Sequence, residues 1–420
     1  MMDELEKNSG AENFEDIDDE YINNYLNTAR PSSNNNTADE NIASYVIPPP
    51  APAAEKPAPH RPPIGAPPKP SPPKAPAQPS SLFPKPIINE PKDEFSGSDW
   101  RTWLGASYVQ KRGIEIMKTV ITDLKSGKKI NIQLVLQLIE DLLTSCRQNE
   151  EHFINLTRVK DTGNYSFSHP VNVAICSIAV GATLQFNSKQ LVRLGLAALF
   201  HDIGEIKLPD RMLNKYAKYT GAELAAMQKH PALGVEVLKK DGQVPEDVMF
   251  GVFHHHERLD GSGYPSGHLG RFIHPLGKII ALAETFDAMT SIRHNVSSNP
   301  PVDVLKTIYS LSGKHYDPNA VKALIMLLGI YPMGSLVRLS GGQLAVAFTK
   351  NKKDLSKPSV IVITDNNGQP IEPFLVNLCN DPSARWIAYA EDANIMQVDT
   401  NKYIQDYLLR HKTPENIAYN

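Results

Sequence analysis

The stretch Leu199-Phe200-His201-Asp202-Ile203-Gly204-Glu205 sets the reading of the whole chain. Leu191, Leu194, Leu196 and Leu199 supply apolar faces ahead of it, so the spacing predicts a buried helix. The helix delivers an imidazole and a carboxylate side by side, His201 and Asp202, and Gly204 lets it stop. Such a pair is costly to bury unless its charge is paired or coordinated. Taken alone it also reads as a polar helix end. The surrounding sequence adds weight, because eight of the chain's 13 histidines fall between His169 and His274.

Outward from this stretch the pattern is helical. Before it come helices predicted near Trp100 to Leu124, after the cap Asn131, and near His152 to Val159. His169-Pro170 then precedes a helix of small and apolar residues, and Ser188 is placed to cap the helix that carries His201. Beyond it, Thr220 and Glu223 form a capping box for a helix ending at His230-Pro231. Pro245 opens the helix that leads to His254-His255-His256. A glycine-rich loop follows, Asp260-Gly261-Ser262-Gly263-Tyr264-Pro265. Helices from about Leu276 to Ile292, Val302 to Ser312 and Pro318 to Leu328 complete an all-α block. After Gly329 the period changes to short strands: Leu336 to Leu339, Leu344 to Phe348, Val360 to Ile363, Phe374 to Leu378 and Trp386 to Tyr389.

Composition bounds the ends and the setting. The first forty residues carry eleven Asp or Glu against Lys7 and Arg30, and 18 of the 34 prolines lie between Pro48 and Pro91. Residues 1–95 are therefore expected to be disordered, an acidic segment followed by a Pro-rich spacer. A docking ligand for a proline-binding partner is the sharper alternative for that spacer. The net charge of −3 gives no basic field for a nucleic acid polymer. Cys146, Cys176 and Cys379 are too few and too scattered for a disulfide framework or a Cys-rich zinc site, and they fit a reducing cytoplasm. The acidic N-terminus does not resemble a secretory signal, and the apolar run from Val171 to Leu184 is broken by Asn172 and too short to span a bilayer. A soluble cytoplasmic protein without membrane insertion is expected, with its oligomeric state left open.

Histidine and carboxylate ligands from several helices can build a dinuclear site inside a bundle. The candidates here are His169, His201, Asp202, His230, His255, His256 and Glu284. The absence of thiolates among them argues for iron, manganese or catalytic zinc over a structural zinc. His169 or His230 taken singly reads more simply as a satisfied core residue. Of the three consecutive histidines one must point elsewhere, and a His-rich solvated turn is the other reading there.

Together, His201-Asp202 and His255-His256-Glu257-Arg258-Leu259-Asp260-Gly261-Ser262-Gly263-Tyr264-Pro265 closely resemble the HD-GYP domain, a branch of the HD phosphohydrolase superfamily. The resemblance runs over roughly residues 160–345 and includes Ala288-Met289-Thr290-Ser291 and Leu328-Gly329-Ile330-Tyr331-Pro332. It implies a mainly α fold, an HD-type helical bundle enclosing a metal site. It also implies hydrolysis of the bacterial second messenger cyclic di-GMP to the linear dinucleotide pGpG or to GMP. The chain then divides into the disordered segment 1–95, a helical segment 96–159 packed on the core, an HD-GYP catalytic domain 160–332 and a small β-rich appendage 333–420.

The resemblance also assigns roles. His169, His201, Asp202, His230, His255 and His256 become metal ligands, with Asp202 bridging and Glu284 standing where the family usually has Asp. Tyr165 replaces the Glu of three-metal members, so two ions, iron or manganese, are expected. His201, Asp202 and Glu205 form the catalytic segment. Glu205 replaces a family Lys, and Val296 replaces the second basic residue of a phosphate-binding stretch in which Arg293 is kept. Arg293, with Gly263, Tyr264 and Pro265 of a loop over the site, would bind substrate. In the family that loop also docks GGDEF-domain proteins. The loss of two cations leaves a second reading open, a degenerate module that binds metal, nucleotide or a GGDEF partner with little turnover.

Overall fold

The structure, a computed structural model, describes residues 99–158, 165–213, 215, 219–291 and 298–410. The disorder expected for residues 1–95 lies outside that range, as do Arg293 and Val296. The described residues form a helical bundle with a small antiparallel sheet at its C-terminal side. No helix among them is long and apolar enough to cross a membrane.

The bundle opens with α1 (Asp99–Lys125), α2 (Ile132–Gln148) and α3 (Glu150–Asn155), followed by a 3-10 turn over Leu156–Arg158. Asn131 caps α2 by accepting from the Leu134 amide at 3.3 Å, and the stripe Val135, Leu138, Ile139 and Leu142 is wholly buried. At the centre lies α4 (Tyr165–Thr183), buried on all sides from Ser168 to Gly181. A helix apolar all round is a core helix. It starts six residues before Val171, where the helix expected after His169-Pro170 would begin. Pro170 lacks the amide that would bond the Ser166 carbonyl, but so close to the N-terminus little else of the helix is disturbed.

Next come α5 (Ser188–Phe200), α6 (Asp210–Leu213), α7 (Gly221–Met227), α8 (His230–Asp241) and α9 (Glu246–His254). Asn187, not Ser188, caps α5, exchanging bonds with Gln190 in a capping box. The Thr220–Glu223 box starts α7 as expected. That helix ends at Met227, and His230-Pro231 opens a further helix, α8, which the sequence reading passed over. Pro231 suits the first turn of a helix, because its missing amide has no partner there in any case. The block closes with α10 (Pro275–Thr290), α11 (Pro301–Ser310) and α12 (Pro318–Leu328), the last capped by Asp317.

The sheet comprises β1 (Leu336–Leu339), β2 (Leu344–Thr349), β3 (Ser359–Thr364), β4 (Pro370–Asn377) and β5 (Ile387–Glu391) in the order β4-β3-β2-β1-β5. Every pairing is antiparallel, with Leu336 opposite Val346 and Ala345 opposite Val362. A final helix, α13 (Thr400–Arg410), packs back on the sheet, burying Ile404 and setting Tyr407 edge-on to Phe348 at 5.2 Å. The sheet is tied to the bundle by polar bonds, Arg158 Nε to the Met333 carbonyl at 3.2 Å and the Lys350 amide to Glu151 at 2.9 Å.

Candidate metal centre

The site begins where α5 ends. The helix stops at Phe200, His201 caps it in helical geometry, and Asp202 breaks away at φ −95°, ψ 8° into a 3-10 turn over Ile203–Lys207. Gly204 therefore does not end the helix. A Cβ there would lie 2.0 Å from the His230 carbonyl oxygen and 2.4 Å from the Gly234 nitrogen. The missing side chain lets α8 press against the turn and brings His230 to Asp202.

Asp202 stands between two groups of imidazoles. Its Oδ2 is 3.1 Å from His201 Nε2 and 3.8 Å from His169 Nε2. Its Oδ1 is 3.3 Å from His230 Nε2 and 3.6 Å from His255 Nε2. Two sets of ligand atoms thus share one carboxylate: His169, His201 and Asp202 on one side, and Asp202, His230, His255 and His256 on the other. Each set lies within 4.8 Å, close enough for one ion.

Helix ends fix the tautomers. Nδ1 of His201, His230 and His255 lies 2.8, 2.8 and 2.6 Å from the carbonyls of Ala198, Met227 and Val252. A ring that donates from Nδ1 turns the lone pair of Nε2 inward. His230 Nε2 and His255 Nε2 face each other at 3.0 Å, a contact that a proton on one ring or a metal ion between the two would satisfy. His201 Nε2 is buried and has no hydrogen-bond partner. Burial opposes charge on His201, yet the adjacent Asp202 carboxylate prevails and lifts its pKa to about 9. Burial, with His201 and His230 alongside, pushes His255 down to about 3. Burial also opposes charge on Asp202, but the three imidazoles around it hold its carboxyl well below the usual range. A buried carboxylate ringed by imidazole nitrogens fits a divalent cation, and these nitrogen and oxygen donors suit iron, manganese or zinc.

Glu284, on α10, stands beside both sets without belonging to either, its Oε2 3.6 Å from His256 Nδ1. The support of His169 was not foreseen. Asp287 Oδ2 accepts from His169 Nδ1 at 2.7 Å, and Asp287 Oδ1 accepts from Asn172 at 3.1 Å. Asn172 Oδ1 in turn accepts from Gln110 Nε2 at 2.8 Å, so a polar chain runs from α1 to the ligand. The one sequence signal was Asp287 itself, a second carboxylate one turn after Glu284 on a largely apolar helix.

A cleft of about 300 Å³ opens onto His169, Asp202, His230, His256 and Glu284. Glu205 lines it from the 3-10 turn that follows α5. Tyr165 lines it too, stacked on His169 at 5.0 Å. Gly263, Tyr264 and Pro265 do not line the cleft. Tyr264 is buried behind His256, its ring stacked at 4.4 Å and its amide bonded to the His256 carbonyl at 3.2 Å. Gly263 sits so close to the backbone of His256 and Arg258 that a Cβ would come within 2.4 Å. Pro265 is exposed. The buried Glu257 carboxylate ties the loop down by accepting from the amides of Ser266 and His268 at 2.8 and 2.9 Å. Arg293 lies outside the described residues.

A family profile described as HD domain matches residues 138–320. A cyclic di-GMP phosphodiesterase of Pseudomonas aeruginosa is 31% identical over 274 residues, covering 65% of this chain and 66% of that protein. A cyclic di-GMP phosphodiesterase of Thermotoga maritima is 35% identical over 163 residues, 38% of this chain and 44% of that protein. A 3'3'-cGAMP-specific phosphodiesterase of Vibrio cholerae is 34% identical over 133 residues, 31% of this chain and 25% of that protein. The matched segments thus span from a quarter to just under two thirds of these relatives' own lengths.

Proposed function

The chain belongs to the HD domain family in its HD-GYP branch, and on that premise we propose that it is a metal-dependent phosphodiesterase that hydrolyses cyclic di-GMP to pGpG or GMP. The observation that carries the proposal is the position of Asp202, one oxygen turned to His169 and His201 and the other to His230 and His255. A carboxylate so placed would bridge two divalent ions, iron or manganese, with His256 completing the second set and Glu284 beside it. Bound there, the metal pair supplies Lewis acidity toward the phosphoryl group and acidifies water.

The chain's own residues prepare for that chemistry. The carbonyls of Ala198, Met227 and Val252 hold three imidazoles by Nδ1 with Nε2 aimed inward, so no ligand has to reorient. Asp287 accepts from the fourth, making His169 a stronger donor. Tyr264 and Gly263 back His256 from behind the cleft, and Arg293 would hold a phosphate in bidentate fashion. The exposed Pro265 side of the loop would receive GGDEF-domain partners. The setting would be bacterial second-messenger signalling in the cytoplasm.

Glu205 in the cleft wall favours a second reading, in which the same site binds metal, cyclic dinucleotide or a GGDEF partner with little turnover. The experiment is hydrolysis of cyclic di-GMP by metal-loaded protein, with 3'3'-cGAMP as the second substrate and metal content measured alongside. Turnover of cyclic di-GMP above that of a metal-free control supports the first reading. Full metal content with no product from either dinucleotide supports the second. Absence of bound metal refutes the first reading, and absence of both bound metal and bound dinucleotide refutes the second as a ligand site.

A further inference from the structure

The cleft is finished by a helix from outside the HD match, which begins at residue 138. Met117, Ile121 and Lys125 of α1 all line it. They stand four residues apart, on one face of the helix. Met117 is buried, Ile121 is partly covered, and Lys125 ends the helix at the rim. Lys125 Nζ reaches Asp210 Oδ1 at 3.0 Å, and Asp210 also lines the cleft. Among the described lining residues Lys125 is the single lysine or arginine, against the carboxylates of Asp202, Glu205, Asp210 and Glu284.

We infer that Lys125 is a substrate-binding residue that takes the phosphate of a cyclic dinucleotide which is not being cleaved. The inference rests on the functional reading above. Charge arithmetic supports it, because two divalent ions would offset the four carboxylates and leave Lys125 as the surplus positive charge. A cyclic dinucleotide carries two phosphates, of which the metal centre engages one. The second needs a cation across the cleft, and the 3-10 turn offers Glu205 there instead. A lysine stem lying along Met117 and Ile121 with its ammonium at the rim can leave Asp210 for a phosphate at small cost, because the pair is solvent-exposed.

The test uses the full chain loaded with manganese, fluorescently labelled cyclic di-GMP for binding, and steady-state hydrolysis. Lys125→Gln should raise both Kd and KM about tenfold, the usual worth of one charge-assisted bond, while kcat moves less than about threefold. Lys125→Arg should stay within about threefold of the wild type on the same ground. Asp210→Asn, which removes the competing carboxylate, should tighten binding. Opposite signs from the two partners of one ion pair are not expected of a purely structural role. The inference is overturned if Lys125→Gln leaves Kd and KM unchanged, if its loss falls on kcat alone, or if Lys125→Arg is as impaired as Lys125→Gln. If the wild type binds labelled 3'3'-cGAMP but not cyclic di-GMP, the substrate reading fails and the same variants decide Lys125 on that ligand. Binding of neither overturns both.

Discussion

Asp287→Asn is the perturbation that reads the buried polar chain most directly. The carboxylate accepts from His169 at 2.7 Å, from Asn172 at 3.1 Å and from the Ser291 hydroxyl at 3.4 Å. An asparagine of the same shape can accept on one side only. If its oxygen faces His169, its NH2 meets the NH2 of Asn172. Flipping Asn172 moves the mismatch to Gln110, whose Nε2 also donates to the Leu156 carbonyl at 3.2 Å. No arrangement of the three amides satisfies every group, so one buried donor loses its partner at a cost of about 1–3 kcal/mol. The substitution also removes the charge opposite Arg158, a fully buried guanidinium whose pKa burial lowers to about 10 against the pull of Asp287. At the metal, a lost carboxylate partner of a ligating histidine weakens affinity about 10–100-fold. The loss should fall on the His169–His201 side and spare the His230–His255–His256 side, which shares none of these bonds. Manganese titration followed by calorimetry, or by paramagnetic resonance, should therefore show two events in the wild type and only the tighter one near its old position in Asp287→Asn. Two unchanged binding events would refute the reasoning, as would equal weakening of both.

Other expectations follow from the same geometry. His201→Ala and Asp202→Ala should lose bound metal and hydrolysis together by elemental analysis and product assay, and either variant with full metal and full activity would sink the ligand assignment. Glu205→Lys should raise kcat/KM for cyclic di-GMP by about tenfold at matched metal content, since it replaces a repelling charge in the cleft wall with an attracting one. An unchanged or lower value would mean that Glu205 faces solvent or acts as a ligand itself. Gly204→Ala should destabilise the fold by about 3 kcal/mol or more, because its Cβ would meet backbone atoms of α8 at 2.0 Å and 2.4 Å that cannot turn aside. A melting temperature equal to the wild type's would contradict that packing.

What the sequence disclosed was contiguous chemistry. His201 and Asp202 are adjacent and His255 to Pro265 is one unbroken run, so each motif was readable as a local pattern. Capping at Asn131 and Thr220 was legible for the same reason, because a cap and its target lie three residues apart. Asp287 lies 118 residues from His169, and Gln110 lies 62 from Asn172, so no local pattern joins them. The role of Gly204 was misread because a glycine after a helix usually ends it, whereas here packing against α8 decides. Glu205 reaches the cleft because the chain leaves α5 as a 3-10 turn, which no local sequence pattern announced. Strand β4 starts four residues earlier than its apolar core suggested, since Pro370 is tolerated on an edge strand. Helix α13 was passed over although Tyr403, Ile404, Tyr407 and Leu408 mark it at helical spacing.

Three of the ligand histidines also finish helices. His201 and His255 follow the last residues of α5 and α9, and His230 bonds the carbonyl of the last residue of α7. Each takes up a carbonyl that a helix end leaves without an amide. Three backbone termini of negative sign therefore converge on one small volume, on top of the carboxylates already there. That field draws in cations before any ligand bond forms, and it turns phosphate away. On the proposed function, bound cations would have to reverse the sign of the cleft before an anionic dinucleotide could enter, so metal-free protein should fail to bind the dinucleotide as well as to hydrolyse it.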